Sequence, residues 1–477
     1  MSNNWEMVIG LEVHAQLKTT SKLFSSSPNL FGSEPNENVN FIDSGMPGML
    51  PVLNWACIEK AIKTGFALNF TINKHSVFER KNYFYPDLPQ GYQISQFEFP
   101  ILSEGYLDID QPDGSTKKIR IERAHLEQDA GKSIHDIDPK FSFIDLNRVG
   151  TPLLEIVSYP DLSSAEDVVN YMSSLRQTLM YIDVCDGNMQ EGSLRADVNL
   201  SVGKPGGELG TRCEIKNLNS FKFIRQAIEF EFQRQIEILE AGESVEQNTM
   251  LFDTSTGETR PMRSKEFSHD YRYFPDPDLL PLEVTDKFID DIRSEIPELP
   301  DEKKKRFIEK FKLTPYEATI LVSDIETSKY FEEVIKDADV KLSTNWITGE
   351  LFAVLNEKNL EISQSPISAI NLSKLINLIK DGTISGKIAK TVFEEMIVGD
   401  QDPQKIIEAK GLKQESDPKA LEELIEKVIQ NNADKVAEYK SGKDKLFGFF
   451  VGQAMKESKG KGNPQLINKI LKEKLNG

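Results

Sequence analysis

The stretch Met7-Val8-Ile9-Gly10-Leu11-Glu12-Val13-His14-Ala15-Gln16-Leu17 decides how the first part of the chain folds. Apolar residues occupy its odd positions, and polar side chains occupy the even positions from 12 onward. Successive side chains of a strand point to opposite faces of a sheet. The stretch therefore predicts a strand whose apolar row is buried and whose Glu12 and His14 lie side by side on the other face.

Two later stretches alternate in the same way. Leu194 to Val202 places Arg195, Asp197 and Asn199 on one face, and Arg120 to Asp129 places Arg123, His125, Glu127 and Asp129 on a common face if it is extended. A helix follows Ser163 or Ser164, either of which can cap it, because apolar residues recur at helical spacing. Its apolar stripe consists of Val168, Met172, Leu175 and Leu179.

The chain changes character near residue 295. Before it, strands, glycines and aromatic residues dominate, whereas after it the apolar residues recur at helical spacing. Two close prolines, Pro297 and Pro300, interrupt any helix between these parts. The sequence predicts three domains: residues 1–294, a helical domain at 295–410, and a small helical tail domain at 411–477.

The composition describes an ordinary globular protein, with 28% charged residues in a chain of 477. No apolar run approaches the roughly 18 residues that a membrane span requires. The first residues lack the basic and apolar segments of a secretion signal. The three cysteines are far apart and odd in number, which argues against a disulfide framework or a Cys-rich zinc site. We therefore expect a cytoplasmic protein with no membrane partner.

The charge is unevenly distributed along the chain. The net charge of −19 argues against a protein that coats nucleic acid. Residues 431–477, however, contain ten lysines and five Asp or Glu, a local net charge of +5. These lysines suit contact with an RNA backbone, although an ordinary solvated lysine face has the same composition.

Glu12 and His14 are candidate metal ligands, together with the carboxylates of Glu127 and Glu155. A hard cation such as Mg²⁺ prefers oxygen ligands, and an imidazole can complete the set. A strand with one exposed polar face shows the same pattern, so both interpretations stay open at this point.

Other polar stretches suit a phosphate-binding pocket or a passage. Arg195 and Asp197 alternate with apolar residues, which is typical either of a phosphate-and-metal pocket or of paired surface strands. The aromatic and basic residues of 80–87 and 270–277 suit loops that stack on bases or line a passage, or loops that pack on the core.

Several standard motifs are absent from the sequence. Gly131-Lys132-Ser133 is not a P-loop, because Leu126 stands where that motif requires glycine. No G-x-S-x-G elbow occurs, and Cys57 lies in a helical run where an inert buried thiol is expected. The sequence therefore predicts that this chain does not itself release ammonia from glutamine.

Five blocks together resemble one family. In order along the chain, these blocks are residues 10–17, 80–87, 147–155, 270–275 and the tail through Asn463-Pro464. They resemble the signature blocks of the aspartyl/glutamyl-tRNA(Asn/Gln) amidotransferase B subunit family. The resemblance implies an α+β fold. A mixed, largely antiparallel β "cradle" domain would precede an all-α helical region that ends in a small helical tail domain.

The resemblance also implies a two-step reaction by an ATP-dependent carbon–nitrogen ligase. ATP, with Mg²⁺, would phosphorylate the side-chain carboxylate of Glu-tRNA(Gln) or Asp-tRNA(Asn). Ammonia released from glutamine by a separate amidase A subunit would then displace phosphate. A small C subunit would clasp the two larger subunits together.

Site residues follow from the resemblance position by position. It implies metal ligation by Glu12, His14, Glu127 and Glu155. It places Glu127, Arg195 and Asp197 in catalysis, and Glu12, His14 and Arg195 in cofactor binding. Lys81 would line an ammonia channel, and Tyr83, Lys456, Lys459 and Lys461 would contact tRNA. The alternative is a scaffold that only holds tRNA, which has no need of convergent metal ligands.

Overall fold

The computed structural model describes residues 5–262, 270–413, 417–458 and 461–476. The chain divides into two compact units, Met1–Pro300 and Asp301–Gly477. Three separate apolar cores lie within residues 9–292, 307–407 and 421–475. The domain boundaries expected at 294/295 and 410/411 stay predictions.

A nine-stranded sheet forms the centre of the first unit, in the order β14-β13-β12-β11-β1-β10-β7-β6-β2. All its neighbouring strands are antiparallel except β12 and β13. Two-stranded pairs β3–β16 and β8–β9 and the three-stranded sheet β15-β4-β5 complete the strands described here. The strands are β1 (Glu6–Gln16), β2 (Thr71–Ile72), β3 (His75–Ser76), β4 (Glu79–Asn82), β5 (Tyr92–Ser95), β6 (Leu102–Asp110), β7 (Thr116–Gln128), β8 (Lys132–Ile134), β9 (Phe143–Asp145), β10 (Pro152–Ser158), β11 (Leu194–Gly203), β12 (Cys213–Lys216), β13 (Thr249–Asp253), β14 (Glu258–Pro261), β15 (Phe274–Pro275) and β16 (Leu282–Glu283).

Strand β1 lies in the middle of this sheet, between β10 and β11. Its odd-numbered residues Ile9, Leu11 and Val13 are at most 1% exposed, so the predicted apolar row is confirmed. The polar face on the other side carries Glu12 and His14. The alternation of the sequence thus determines which side chains are available for chemistry.

Three helices of the first unit cover the apolar side of the sheet: α1 (Trp55–Ala67), α2 (Ala165–Tyr181) and α3 (Phe221–Glu240). Helix α4 (Asp286–Arg293) packs on α1. The predicted cap of α2 is confirmed, because the Ser164 side chain accepts a hydrogen bond from the backbone N–H of Asp167. In α1, Cys57 is buried, and burial raises the pKa of its thiol to about 12. All three cysteines are free and buried.

The regular elements in the described residues of the second unit are all helices, which confirms the α+β class with an all-α C-terminal region. No helix within the described ranges is long and apolar enough to cross a membrane. A π-helix (Trp346–Leu351) and a 3₁₀ turn (Ile362–Gln364) interrupt the α-helices. These are α5 (Pro300–Phe311), α6 (Pro315–Leu321), α7 (Ile325–Val334), α8 (Val340–Asn345), α9 (Phe352–Lys358), α10 (Ala369–Lys380), α11 (Gly386–Met396), α12 (Pro403–Lys410), α13 (Pro418–Gln430), α14 (Ala433–Lys440), α15 (Leu446–Glu457) and α16 (Pro464–Asn476).

Candidate active site

A row of polar side chains crosses four adjacent strands on the face opposite the apolar core. His14 on β1 pairs in register with Arg195 on β11 and with Glu155 on β10, and Glu155 pairs with His125 on β7. Directly opposed residues of antiparallel strands have their side chains on the same face. The register therefore brings together residues that are far apart in the sequence.

Three of the predicted metal ligands converge in this row. The Nε2 atom of His14 lies 3.4 Å from Oε1 of Glu127 and 3.6 Å from Oε2 of Glu155. One ligand atom of each residue lies within 4.8 Å of the other two, and these residues form the one such cluster found in the described ranges. The Glu127 side chain is only 4% exposed. Two carboxylates and one imidazole that converge in this way fit a hard divalent cation such as Mg²⁺.

The charges of the three ligands depend on one another. Burial opposes the charged form of His14, but hydrogen bonds to Glu127 and Glu155 outweigh it and raise the pKa of His14 to about 10. Burial also opposes ionisation of Glu155, yet His125 and His14 hold the pKa of this carboxyl well below its usual range. The pKa of Glu127 is lowered in spite of burial and of the nearby Glu155, because His14 and Lys81 favour its carboxylate. The cluster is therefore built to hold two carboxylates next to positive charge.

Glu12, the fourth predicted ligand, lies outside the converging group. Its Oε1 accepts a hydrogen bond from Nδ2 of Asn199 at 2.9 Å. Burial raises the pKa of Glu12, and the nearby carboxylates of Glu155, Glu214 and Asp197 raise it further. Glu12 is thus a half-buried carboxyl beside the cluster, on the same face of β1 as His14 and two residues away.

The structure places Arg195 and Asp197 in ion pairs next to the cluster. Arg195 donates from Nη2 to Oδ2 of Asp129 at 3.1 Å, and Nε of Arg148 lies 3.3 Å from the same oxygen. Asp197 accepts from Nζ of Lys216 at 2.6 Å. Neither residue is one of the three converging ligands, so their catalytic and cofactor-binding roles stay predictions.

Lys81 stands between the cluster and a group of aromatic rings. The charges of Glu127 and Glu155 raise the pKa of Lys81, although burial alone would lower it. Its Nζ lies 5.0 Å from the centroid of the Tyr271 ring. Tyr273 is 6.0 Å from Tyr271, centroid to centroid, and stacks on another aromatic ring. A lysine that faces both carboxylates and tyrosines is consistent with the polar passage expected there.

Tyr83 belongs to the same aromatic group. It is half-buried, its ring lies 6.1 Å from that of Tyr271, and its hydroxyl donates to Oε1 of Gln93 at 3.2 Å. Burial raises the pKa of the Tyr83 hydroxyl. Its contact with tRNA stays a prediction.

The tail lysines differ from one another. Lys456 is exposed in the last turn of α15. Lys461 donates from Nζ to the carbonyl oxygen of Gly411 at 2.5 Å, at the C-terminal cap of α12. Lys459 lies outside the described residues. The ammonium group of Lys461 thus has a partner within the protein.

His125 is the clearest residue that the predicted site lacked. Its Nε2 lies 3.2 Å from Oε2 of Glu155 and 4.0 Å from Oε2 of Glu127, and its Nδ1 is buried without a hydrogen-bond partner. The alternation of β7 already placed His125 on the face of Glu127. Asp129 follows β7 directly and belongs to the same predicted face, whereas Lys216 gains its role only through its ion pair with Asp197 on another strand.

Comparison with known proteins gives concordant matches over the whole chain. Residues 7–290 match the family described as the GatB/GatE catalytic domain, and residues 329–475 match the family described as the GatB domain. The chain is 66% identical to a protein from Pelagibacter ubique named as the B subunit of aspartyl/glutamyl-tRNA(Asn/Gln) amidotransferase, over 99% of this chain and 97% of that protein. It is 56% identical to the protein of that name from Granulibacter bethesdensis, over 99% and 98% of the two chains. The protein of that name from Methylobacterium nodulans is 55% identical, over 99% and 96%.

Proposed function

This chain belongs to the family of aspartyl/glutamyl-tRNA(Asn/Gln) amidotransferase B subunits, and we propose that its sheet face activates the side-chain carboxylate of a misacylated tRNA. The convergence of His14, Glu127 and Glu155 carries this proposal. A scaffold that only holds tRNA has no need of buried metal ligands, whose charges are costly to bury. The chain is the B subunit of a tRNA-dependent amidotransferase, which is a glutamine-dependent ligase complex.

The chemistry has two steps. A carboxylate is a poor electrophile, so one of its oxygens first takes the γ-phosphoryl group of ATP and ADP leaves. Ammonia then attacks the acyl carbon, the bond from that carbon to the phosphate oxygen breaks, and the amide forms. His14, Glu127 and Glu155 would hold Mg²⁺, which would supply positive charge next to the phosphoryl group being transferred. Arg195 and Asp197, next to this cluster, orient the nucleotide, with Glu12 as an accessory carboxyl.

Lys81 serves the second step. The charges of Glu127 and Glu155 raise the pKa of its ammonium group against the effect of burial, and its Nζ lies 5.0 Å from the centroid of the Tyr271 ring. We propose that ammonia passes along this polar lining to the activated acyl group, and that Tyr83 lies near the acceptor end of the tRNA. Lys456, Lys459 and Lys461 contact the tRNA body from the tail.

An exposed apolar surface supports a protein partner. Three segments of the first unit are joined by hydrogen bonds, from Asn36 to Asp145, from Gln90 to Ile42, and from Ser133 to Asp87. Exposed apolar patches of this kind are typical of protein interfaces. The exposed large apolar residues of these three segments are Leu30, Phe31, Phe41, Met46, Met49, Leu50, Val52, Phe84, Tyr85, Ile137, Phe141 and Phe143. We propose that this surface contacts the amidase A subunit and that the small C subunit holds the pair together.

We propose that a separate amidase releases the ammonia, and the buried thiols of this chain support this proposal. All three cysteines are buried, and burial raises the pKa of Cys57 and of Cys185 to about 12. A thiolate nucleophile requires a lowered pKa and access to substrate. Three free thiols also suit the reducing cytoplasm, where we place the reaction.

The assembled complex tests the function directly. The chain is co-expressed with its amidase and small subunits and given Glu-tRNA(Gln) or Asp-tRNA(Asn), ATP, Mg²⁺ and glutamine. We expect ADP and amidated aminoacyl-tRNA to form together, with at least one of the two tRNAs. A complex that binds tRNA but forms neither product would contradict the proposal and favour the scaffold.

A further inference from the structure

The segment that carries Tyr271 and Tyr273 forms a wall beside Lys81, and it is held at both of its ends by strand β4. At one end, the backbone N–H of Asn82 donates to the carbonyl of Tyr271 at 3.0 Å. The Asn82 side-chain amide donates to the carbonyls of Tyr271 and Arg272 at 3.0 and 2.9 Å. We call Tyr271 and Tyr273 the tyrosine wall.

Arg80 holds the other end of this segment. Its Nε donates to Oδ2 of Asp276 at 2.8 Å, and its Nη2 donates to Oδ2 of Asp278 at 2.8 Å. The Asp276 side chain is fully buried, whereas that of Asp278 is 33% exposed. The guanidinium group also lies over the Tyr92 ring, 4.1 Å from its centroid. Two charge-assisted hydrogen bonds and an aromatic stack fix the arginine.

Arg80 and Lys81 are neighbours on one strand, so their side chains point to opposite faces. Arg80 therefore takes no direct part in the chemistry beside Lys81. It acts on that side through the segment that it anchors, because Phe274 pairs with Arg80 across β4 and β15 and follows Tyr273 directly. Tyr273 is held further by stacking on Phe97, with a centroid distance of 4.4 Å and an interplanar angle of 9°.

We propose that Arg80 is a positioning residue that holds the tyrosine wall over Lys81, so that channelled ammonia rather than water reaches the activated acyl group. This inference rests on the proposed function, since it assigns a part to the wall in the second step. When ammonia attacks the acyl carbon, phosphate leaves and the amide forms. When water attacks the same carbon, phosphate also leaves, but the carboxylate is regenerated and one ATP has been consumed without amide.

The ratio of amide formed to ADP formed measures this partition in the assembled complex. A charge-assisted hydrogen bond changes a local equilibrium by about tenfold. In Arg80→Ala we therefore expect the ratio with glutamine as nitrogen source to fall by about tenfold. With saturating ammonium chloride the ratio should stay close to that of the unmodified complex, because bulk ammonia replaces the channelled supply.

Arg120 provides the matched control. It donates from Nε and Nη2 to both carboxylate oxygens of Asp161 at 2.9 and 2.6 Å, and it lies 4.8 Å from the Tyr159 ring centroid. It is thus a similarly paired and stacked arginine of the same unit, 61% exposed and remote in its contacts from the wall. Arg120→Ala should leave the ratio unchanged with either nitrogen source.

A milder variant decides the case if Arg80→Ala fails to assemble. Asp278→Asn removes only the outer ion pair and leaves the buried Asp276 contact, so we expect a smaller fall in the same direction. A ratio that is unchanged with glutamine in Asp278→Asn, or one that falls equally with ammonium chloride, would overturn the proposal. Failure of the underlying function would look different, because the unmodified complex would then form no ADP with misacylated tRNA.

Discussion

The cluster on the sheet face and the lysines of the tail are two different kinds of binding surface. Glu127 and Glu155 are buried and His14 is half-buried on adjacent strands, and Nε2 of His14 lies 3.4 and 3.6 Å from the two carboxylates. Lys456, in contrast, is exposed at the end of a helix. The register of a sheet fixes the first surface to fractions of an ångström, whereas the second needs only positive charge near a phosphate backbone.

The two surfaces also differ in the free-energy cost of removing one side chain. Removing one member of a buried group of charges leaves the others unpaired in a poorly solvated place, which is strongly unfavourable. Removing one exposed lysine from an RNA-binding surface loses one counterion-exchange contact, and the remaining contacts are nearly unaffected. Substitutions should therefore have large, cooperative effects in the cluster and small, additive effects in the tail.

The largest effect is expected from Glu127→Gln, which keeps the shape of the side chain and removes its charge. Transition-state stabilisation by a single well-placed group is worth about 10³-fold in rate. We expect ADP formation with misacylated tRNA to fall by about that factor, while tRNA binding is retained. Both are measured on the assembled complex.

Glu122→Gln is the control for this substitution. Glu122 lies on the same strand, is 43% exposed and pairs with the adjacent Arg123. Its replacement should leave ADP formation unchanged. If Glu127→Gln turned over as fast as the unmodified complex, the cluster would not be the metal site, and the contrast with the tail would disappear.

A smaller effect is expected on metal affinity, and it should differ between the cluster residue Glu155 and its neighbour Glu12. Glu155 is one of the three converging ligands, but Glu12 is hydrogen-bonded to Asn199 and stands beside them. Even outer contacts of a metal site change affinity by about 10- to 100-fold, and a direct ligand contributes at least as much. We expect Glu155→Gln to weaken Mn²⁺ binding about 100-fold and Glu12→Gln about tenfold or less.

Titration of the assembled complex with Mn²⁺, followed by electron paramagnetic resonance, measures both affinities. Equal losses in the two variants would place Glu12 among the direct ligands, as the family resemblance implied. A loss in Glu12→Gln alone would contradict the convergence of His14, Glu127 and Glu155 as the origin of the site.

Much of the fold was predictable from local patterns. The alternation in 7–17 and the cap at Ser164 predicted β1 and α2, and both are confirmed. The order of the strands was not predictable in the same way. β1 lies between β10 and β11, which follow it by well over a hundred residues, and no local pattern determines such a pairing.

The residues of the candidate site were also predictable only in part from local patterns. Glu12 and His14 share a strand, so alternation alone placed them on one face. Glu127 and Glu155 lie on two other strands, and although they were candidate ligands, no local pattern showed that they meet His14. Tertiary contacts also explain what local reasoning missed: His125 gains its role by facing Glu155 across β7 and β10, and Lys461 by its bond to Gly411.

The smallest effect is expected in the tail, where the lysines are not equivalent. Each lysine that neutralises a phosphate makes the fall of log affinity with log salt steeper by about 0.9 in slope. Lys456→Ala should therefore make this fall shallower by about 0.9 for tRNA binding, and it should weaken binding modestly at a fixed salt concentration. Lys461→Ala should lower the thermal stability in addition to its effect on tRNA binding, because it also removes a hydrogen bond to the cap of α12. Lys474→Ala is the control for the loss of a tail lysine whose charge is already paired, since its Nζ lies 2.6 Å from the carboxylate of Glu426. A loss of ADP formation at saturating tRNA in Lys456→Ala would show that the tail acts on the chemistry itself, and the contrast between a cooperative cluster and an additive tail would fail.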